Sequence, residues 1–309
     1  MRHAWLAVLI ALALAFPKIA ALLGQEFYVS FASRVLIWAL LASSLNLLVG
    51  MGGMVSLGHA AFFGAGAYVV GIIAADLPQL SSALLAWPLA MAVNAALALL
   101  IGVVSLRTRG VYFIMITLAF AQMVLYIFVS IKGYGGDDGM TIARRSSLPG
   151  VNMADDTAFY YVVLALLGFS LHALGRLKAS RFGRALMGIK DNEERMESMG
   201  YPTFQLKLAS FVIAGSLAGL AGALMANQNG FVSPNMLHWD QSGTALVMVI
   251  LGGLGSLWGG LAGAAVYMLL QEVLTAFTAH WQIALGLFLL AVVFFAPGGI
   301  AGLFSRKPR

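Results

Sequence analysis

Long apolar runs separated by short polar segments dominate the chain. The hydrocarbon core of a membrane is about 30 Å thick, and about 20 apolar helical residues are needed to cross it. The sequence predicts spans near residues 4–23, 29–49, 55–75, 82–105, 111–131, 158–174, 208–227 and 277–296, with a broken stretch at 243–271. We therefore expect an all-α integral membrane protein, a multi-span helical bundle with short and broken helices.

Composition supports this fold class. Hydrophobic residues make up 61% of the chain and charged residues 10%, whereas a soluble protein has about 25% charged residues. There are no cysteines, so disulfides and thiolate metal sites are excluded, and no pattern of histidine with carboxylates resembles a metal cage. The net charge of +6 comes from basic residues that flank apolar runs, so we expect no nucleic acid partner. We also expect no cofactor.

The N-terminal run is similar to a signal peptide at first sight. Met1-Arg2-His3 is followed by the apolar stretch from Ala4 to Phe16, but no small-residue cleavage site of the A-x-A type follows it. We expect an uncleaved first span.

Two polar segments are long enough to be loops outside the membrane. The segment at about 132–156 mixes both charge signs with Gly and Pro, and we expect it on the periplasmic side. The segment at about 175–207 holds seven of the eighteen basic residues, which predicts a cytoplasmic location by the positive-inside rule.

The basic residues also predict the topology of the broken stretch at 243–271. If it contributes two passes or a re-entrant hairpin, thirteen of the eighteen basic residues face the cytoplasm, including Arg2 and the tail 306–309. The chain would then turn within Leu251–Gly260. A single pass is the alternative, and it is less favoured because it leaves the basic tail outside.

Energy for uphill transport has no evident source within the chain. Ion-coupled transporters commonly carry acidic residues at membrane depth, but here every acidic residue falls at a span end or in a loop. None of the six lysines follows a glycine, so no P-loop that would cradle a nucleotide is present. We expect that the chain is not an enzyme and that a separate subunit hydrolyses ATP.

The loop at 175–207 has the pattern of an amphipathic helix. Between Arg181 and Tyr201 apolar residues recur on one helical face, and the opposite face carries both charge signs. Four acidic residues within 191–197 favour docking in the groove of a partner protein over lying on lipid headgroups. We expect Gly200 and Pro202 to end the helix. The predicted coupling residues are Phe182, Leu186, Ile189, Met196, Glu197, Met199 and Gly200.

The glycine-rich stretch from Gly50 to Tyr68 predicts a helix break that faces a translocation path. A helix starting near Val55, with Ser56 as its cap, would present free N–H groups to a carboxylate. His59 either lines the path or, as is more frequent, makes a structural hydrogen bond to a neighbouring helix. An intramembrane hydrolase using Ser56 and His59 is a weaker alternative, because no oxyanion motif or third group accompanies them. The predicted substrate-path residues are Asn46, Ser56, His59, Gly252, Gly253 and Gly255.

Small residues at a spacing of four predict closely packed helices. Such spacings occur in Ala218, Gly222 and Ala226, and in Gly255, Gly259 and Gly263. They indicate a tight bundle and no particular function.

Four blocks of the sequence resemble one known family. They are "SLNLLVGMGGMVSLGHAAFFGAGAY" (44–68), "RTRGVYFIMITLAFAQM" (107–123), "SRFGRALMGIKDNEERMESMGY" running into "KLASFVIAGSLAGLAGAL" (180–224), and "MVILGGLGSLWGGLAGA" (248–264). In order and content they are similar to signature blocks of the high-affinity branched-chain amino acid ABC transporter permeases. The match is closest to the M-type subunit, because the H-type subunit usually has an "NFAHGE"-like block where this chain has "SLGHAAF".

The resemblance implies a single transmembrane permease domain over residues 1–309, with the helical fold of the vitamin B12 importers, in a bacterial inner membrane. It implies three kinds of partner: a homologous second permease, two cytoplasmic ATPase subunits and a periplasmic substrate-binding protein. The segment Glu197-Ser198-Met199-Gly200 is similar to the family's coupling segment, with Ser198 where alanine is more usual. The implied solute is a branched-chain or related small amino acid. Alternatives are a permease of the same family for urea, short-chain amides or aromatic acids, and an ion-coupled secondary transporter.

Overall fold

The computed structural model of the chain describes residues 12–20, 22, 24, 27–296 and 298–304. Arg2 and the basic tail 306–309 lie outside these residues. Helices make up most of the described chain: α1 (12–20), α2 (Phe27–Asn46), α3 (His59–Asp76), α4 (Ala83–Ser105), α5 (Val111–Ser130), α6 (Asp156–Ala179), α7 (Arg181–Asp191), α8 (Glu193–Ser198), α9 (Thr203–Asn229), α10 (Trp239–Gly252), α11 (Gly259–Phe277), α12 (Trp281–Phe295) and α13 (Gly299–Phe304).

Seven segments of the described chain are helical, long and apolar enough to cross a membrane. They are Phe27–Met51, His59–Asp76, Ala83–Ser105, Val111–Ser130, Asp156–Ala179, Thr203–Asn229 and Gly259–Phe277. The prediction of an all-α, multi-pass membrane protein is confirmed.

Helices α2, α3 and α9 form the centre of the bundle. In their most apolar stretches 83%, 72% and 67% of the residues are buried, against 33% for α4 and 28% for α5. The outer helices expose apolar side chains such as Leu100 and Met115, as expected for contact with lipid. Helix α9 approaches α3 so closely that a Cβ on Gly222 would lie 1.7 Å from the carbonyl oxygen of Phe63. The predicted close packing at this position is confirmed.

The predicted break in 243–271 is also confirmed, and it is a hairpin. Helix α10 ends at Gly252, residues 253–258 are irregular, and α11 begins at Gly259. Gly252 lies against Gly259 and Met248 lies against Gly263, so the two helices run in opposite directions side by side. Helix α13 lies against the turn between α10 and α11, where its first residue, Gly299, packs on Gly253.

Two different structures cover the ends of the bundle. At one end, which we call the loop end, the segment after α5 carries β1 (Met140–Thr141), which pairs antiparallel with β2 (Phe231–Val232) after α9. There Arg145 forms a 2.6 Å ion pair with Asp156 and donates a hydrogen bond to the carbonyl of Asn227. At the other end, which we call the α7–α8 end, the two short helices α7 and α8 pack against α9 and the end of α2.

Several predicted span boundaries need correction. Of the predicted first span 4–23, residues 12–20 are helical, whereas residues 4–11 lie outside the described chain. Helix α3 begins at His59 rather than near Val55, because residues 53–58 are irregular. Helix α6 continues to Ala179 and ends at Ser180, which is both its C-cap and the N-cap of α7.

Candidate functional site

The C-terminal end of α2 continues as a buried π-helical turn, Leu47–Met51. Asn46, just before this turn, binds the irregular segment between α10 and α11 twice. Its Oδ1 accepts a 2.9 Å hydrogen bond from the N–H of Gly255, and its Nδ2 donates a 2.7 Å bond to the carbonyl of Ser256. One side chain thus satisfies two backbone groups that no helix pairs.

Two lysines connect the same region to the α7–α8 end. Lys178, in the last turn of α6, donates to the carbonyl of Gly255, and Lys190 of α7 donates a 2.9 Å bond to the carbonyl of Gly50. Ammonium groups stabilise carbonyls that have lost their helical partners. We call the five residues Asn46, Gly50, Lys178, Lys190 and Gly255 the junction.

The junction is closely packed. The cavity bordered by Asn46, Lys178 and Gly255 has a volume of about 20 Å³, which is room for about one water molecule. The structure therefore brings Asn46 and Gly255 together, with Gly252 and Gly253 in the same turn, but around a closed contact rather than a solute-sized space. Their predicted role in a substrate path stays a prediction.

The N-terminus of α3 differs from the expected open anion site. Gly58 rather than Ser56 is the N-cap, and Ser56 instead accepts a 3.2 Å bond from the N–H of Gly58. The N–H of Ala60 is already occupied by a 2.7 Å bond to Ser242 of α10. Ser56 and His59 are fully buried. The prediction that this helix start offers free N–H groups to a carboxylate is wrong, because neighbouring helices fill it.

His59 makes the structural hydrogen bond that was one of its two predicted roles. Its Nε2 lies 2.8 Å from Oγ of Ser44 on α2. Ser44 also donates to the carbonyl of Leu41, so the hydroxyl hydrogen is used and the imidazole donates to Ser44. Among the described residues, Ser56 and His59 form no hydrogen bond with each other, which leaves the hydrolase alternative without its nucleophile–base pair.

The predicted amphipathic helix between Arg181 and Tyr201 is two helices, not one. Helix α7 ends at Asp191, Asn192 is extended, and α8 begins at Glu193. The side chain of Asn192 accepts a 2.9 Å bond from the N–H of Arg195, which caps α8. Asn192 is a favoured N-cap residue, and the apolar periodicity alone did not reveal that a new helix begins after it.

The predicted apolar face is mostly occupied by this chain itself. Leu186, Ile189 and Met196 are buried against the bundle or against one another, and Phe182 is partly buried. Leu186, Ile189 and Met196 are therefore covered by this chain, and their prediction as direct docking residues is corrected. Phe182 keeps part of its surface exposed, and its predicted role stays a prediction. The exposed part is the turn after α8, where Met199 is 56% exposed and Gly200 has a φ of +82° that ends the helix.

Charged residues fix α8 in place. Lys207 of α9 forms an ion pair with Glu193, and Arg109 lies 3.4 Å from Glu193 and 3.5 Å from Glu197. Thr203 also donates a 2.9 Å bond to Glu197. The acidic residues that predicted a docking face thus partly serve to hold the exposed turn against the bundle.

A cleft that was not predicted from the sequence lies at the loop end. A cleft of about 290 Å³ is lined by Arg34 and Trp38 of α2, Phe63 of α3, and polar side chains that include Asn229 and Gln241. Arg34 is a charged residue inside the apolar run of α2. That is the signal that would have found it, since an ionisable residue within a span is by default a functional candidate.

Comparison with known proteins assigns the chain to a family. Residues 27–297 match the family described as branched-chain amino acid transport system / permease component. The chain belongs to this family. The junction between the α7–α8 pair and the bundle, and the polar cleft at the opposite end, are therefore features of a transport permease rather than of an enzyme.

Curated relatives include two permeases that match most of the chain. The high-affinity branched-chain amino acid transport system permease protein LivM of Salmonella typhimurium LT2 is 28% identical over 299 residues, covering 88% of this chain and 69% of LivM. LivM of Escherichia coli K12 is 28% identical over 323 residues, covering 96% and 74%. The autoinducer 2 import system permease protein LsrC of E. coli O157:H7 is 30% identical over 153 residues, covering 45% and 42%. No solved structure matches the chain significantly.

Proposed function

We propose that the chain is the transmembrane subunit of an ATP-driven importer for branched-chain or related small amino acids, and that its single permease domain over residues 1–309 forms half of the translocation path. The observation that carries the proposal is the match of residues 27–297 to the permease family. The similarity to two permeases named for branched-chain amino acids, each over more than four fifths of this chain, supports the solute class.

We further propose that the α7–α8 end faces the cytoplasm of a bacterial inner membrane. Nine basic residues of the described chain lie at or beside this end, namely Arg107, Arg109, Arg176, Lys178, Arg181, Arg184, Lys190, Arg195 and Lys207. The loop between α5 and α6 carries three, Lys132, Arg144 and Arg145. This asymmetry supports the orientation by the positive-inside rule, and the loop end is then periplasmic, where a substrate-binding protein would dock.

The proposed contact with the partner ATPase is the exposed end of α8, Glu197 and Ser198, together with the turn after it, Met199, Gly200 and Tyr201. Its exposure supports docking, and so do the ion pairs that hold α8 on the bundle, because a coupling element has to transmit force rather than bend. The junction supplies the onward connection. Lys190 lies on the helix that precedes α8, so a displacement of α7 and α8 bears directly on Gly50 at the end of α2.

The solute is the least constrained part of the proposal. The partial similarity to the autoinducer 2 permease LsrC shows that related chains serve different solutes. Urea, short-chain amides and aromatic acids remain the alternatives within the family. An ion-coupled transporter acting alone has no supporting observation.

Copurification followed by reconstitution tests the proposal. The tagged chain is purified from its native membrane, and we expect a second permease and an ATPase to copurify with it. The complex is then placed in liposomes with its substrate-binding protein, and uptake of radiolabelled L-leucine, L-phenylalanine and urea is compared with and without ATP. ATP-dependent leucine uptake is the expected result. Uptake by the isolated chain driven by an ion gradient would contradict the proposal.

A further inference from the structure

The cleft at the loop end has a polar rim and an apolar floor. Trp38, Phe63 and Met225 form the floor, and the rings of Trp38 and Phe63 lie 5.7 Å apart. Arg34, Asn229 and Gln241 contribute to the rim. The volume of about 290 Å³ is at the lower limit for small-molecule sites, about 300 Å³. The cleft is thus shaped for a small solute with one charged or polar end and one apolar end.

Arg34 lies at an unusual depth for an arginine. It is the eighth residue of α2, which starts at Phe27, so its Cα is about 10 Å along the helix from the loop end. A charged side chain within a span is costly and is usually retained for function. Its side chain is exposed to the cleft, and no ion pair joins it to another described residue. The guanidinium therefore has its donors available for a ligand.

We propose that this cleft is a solute-binding station of the permease, in which Arg34 binds the carboxylate of the transported amino acid. The inference rests on the proposed function as an importer. The planar guanidinium matches a carboxylate through two parallel N–H···O bonds, which an ammonium group does not reproduce. The amide oxygens of Asn229 and Gln241 accept hydrogen bonds from the solute's ammonium group. The aliphatic side chain of the solute packs on Trp38, Phe63 and Met225.

This arrangement also explains the polarity of the rim. A station on a transport path has to hold the solute and then release it, so one charge-assisted contact and an open cleft suit it better than an enclosed cage does. The ligand chemistry is a free α-amino acid carboxylate. An acidic side chain of the second permease or an acidic lipid headgroup would offer Arg34 the same chemistry, and the experiment separates these sources from the solute.

The test uses the assembled importer in liposomes, with radiolabelled L-leucine delivered by its substrate-binding protein. Arg34→Gln is expected to lower leucine uptake at subsaturating concentration about 10- to 100-fold, the range for one hydrogen-bonded charge. Arg34→Lys keeps the charge but loses the two parallel N–H donors of the guanidinium. Leucine uptake by this variant is therefore expected to lie between that of Arg34→Gln and that of wild type. Arg144→Gln is the matched control, because Arg144 is an exposed arginine of the loop end outside the cleft. It is expected to transport as wild type does.

Each other outcome overturns the inference in a recognisable way. If Arg34→Gln assembles and transports as wild type does, the cleft holds no carboxylate. If both Arg34 variants lose the second permease during purification, Arg34 belongs to the subunit interface. If the loss of uptake appears only in liposomes that contain anionic lipid, Arg34 binds a headgroup. Import of urea but not leucine by wild type rejects this inference while the importer stands, and absence of any ATP-dependent uptake rejects both.

Discussion

Asn46 and Gly255 are 209 residues apart in the chain, yet the N–H of Gly255 donates a 2.9 Å hydrogen bond to Oδ1 of Asn46. The bond joins the end of α2 to the turn between α10 and α11. Lys178 donates to the carbonyl of the same Gly255. The backbone N–H and the backbone carbonyl of Gly255 are therefore both held by side chains, from α2 and α6, which makes this turn a defined element rather than a loose loop.

Replacing Asn46 with Ala is predicted to destabilise the protein by about 1–3 kcal/mol, because the N–H of Gly255 and the carbonyl of Ser256 lose their partner in a closed site. Thermal unfolding in detergent measures the change. Asn152→Ala is the control, since Asn152 accepts one bond in an exposed loop. Equal midpoints for the two variants would contradict the role of Asn46 as a clamp.

Two methionines near the proposed ATPase contact are predicted to respond differently to aspartate. Met196 is buried against Gly188, so Met196→Asp places a charge in an apolar contact and lowers the unfolding temperature. Met199 is exposed, so Met199→Asp is expected to keep that temperature but abolish most ATP-driven uptake. Unfolding and uptake are measured on the same preparations. Normal uptake by Met199→Asp would remove the turn after α8 from the ATPase contact.

The two cations that face Glu193, Lys207 and Arg109, are predicted to contribute unequally to the stability of the protein. The side chain of Lys207 is 9% exposed and that of Arg109 is 57% exposed. Lys207→Met removes the buried partner of Glu193, and we expect it to lower the free energy of unfolding by about 1–3 kcal/mol. Arg109→Met removes a solvent-screened pair, and we expect about 1 kcal/mol or less. Hydrogen exchange of the α8 amides detects the difference, and a larger effect from Arg109 would reverse this assignment.

Helix α9 is predicted to tolerate no side chain at Gly222. The added Cβ would lie 1.7 Å from the carbonyl oxygen of Phe63, so α3 and α9 have to separate at a cost of about 1–3 kcal/mol. Gly168→Ala in α6 is the matched control, because a Cβ there meets nothing within 4 Å. Lower yield and a lower unfolding midpoint for Gly222→Ala alone are the expected results.

The spans and the α10–α11 break were predictable because both depend on local composition. A run of about 20 apolar residues has few alternatives to a membrane helix, and the glycine cluster at 251–260 marks the one place where a helix through 243–271 breaks. The start of α3 was not predictable to the residue. Gly58 replaced Ser56 as the N-cap because the site was completed by Ser242, a residue of another helix.

The predicted coupling segment at 175–207 also separates what the sequence predicts from what the structure decides. Helical periodicity predicted an apolar face, and Leu186, Ile189 and Met196 are all buried, Leu186 in the main core and the other two in a small cluster beside it. Periodicity does not say whether the neighbour that covers a face is the same chain or a partner. The bundle itself covers most of the predicted apolar face, and the part of that face that is exposed is the turn around Met199.

The sequence by itself determined the class of the protein, the membrane segments, the position of the hairpin and the family, because hydropathy and short motifs are local properties of the chain. Only the tertiary structure decided which polar groups meet. It paired Asn46 with Gly255 and His59 with Ser44, closed the expected anion site at α3, and opened a cleft beside Arg34. The physical reason is that a buried polar group has to find a partner at low dielectric, and packing of distant helices determines which partner is within reach.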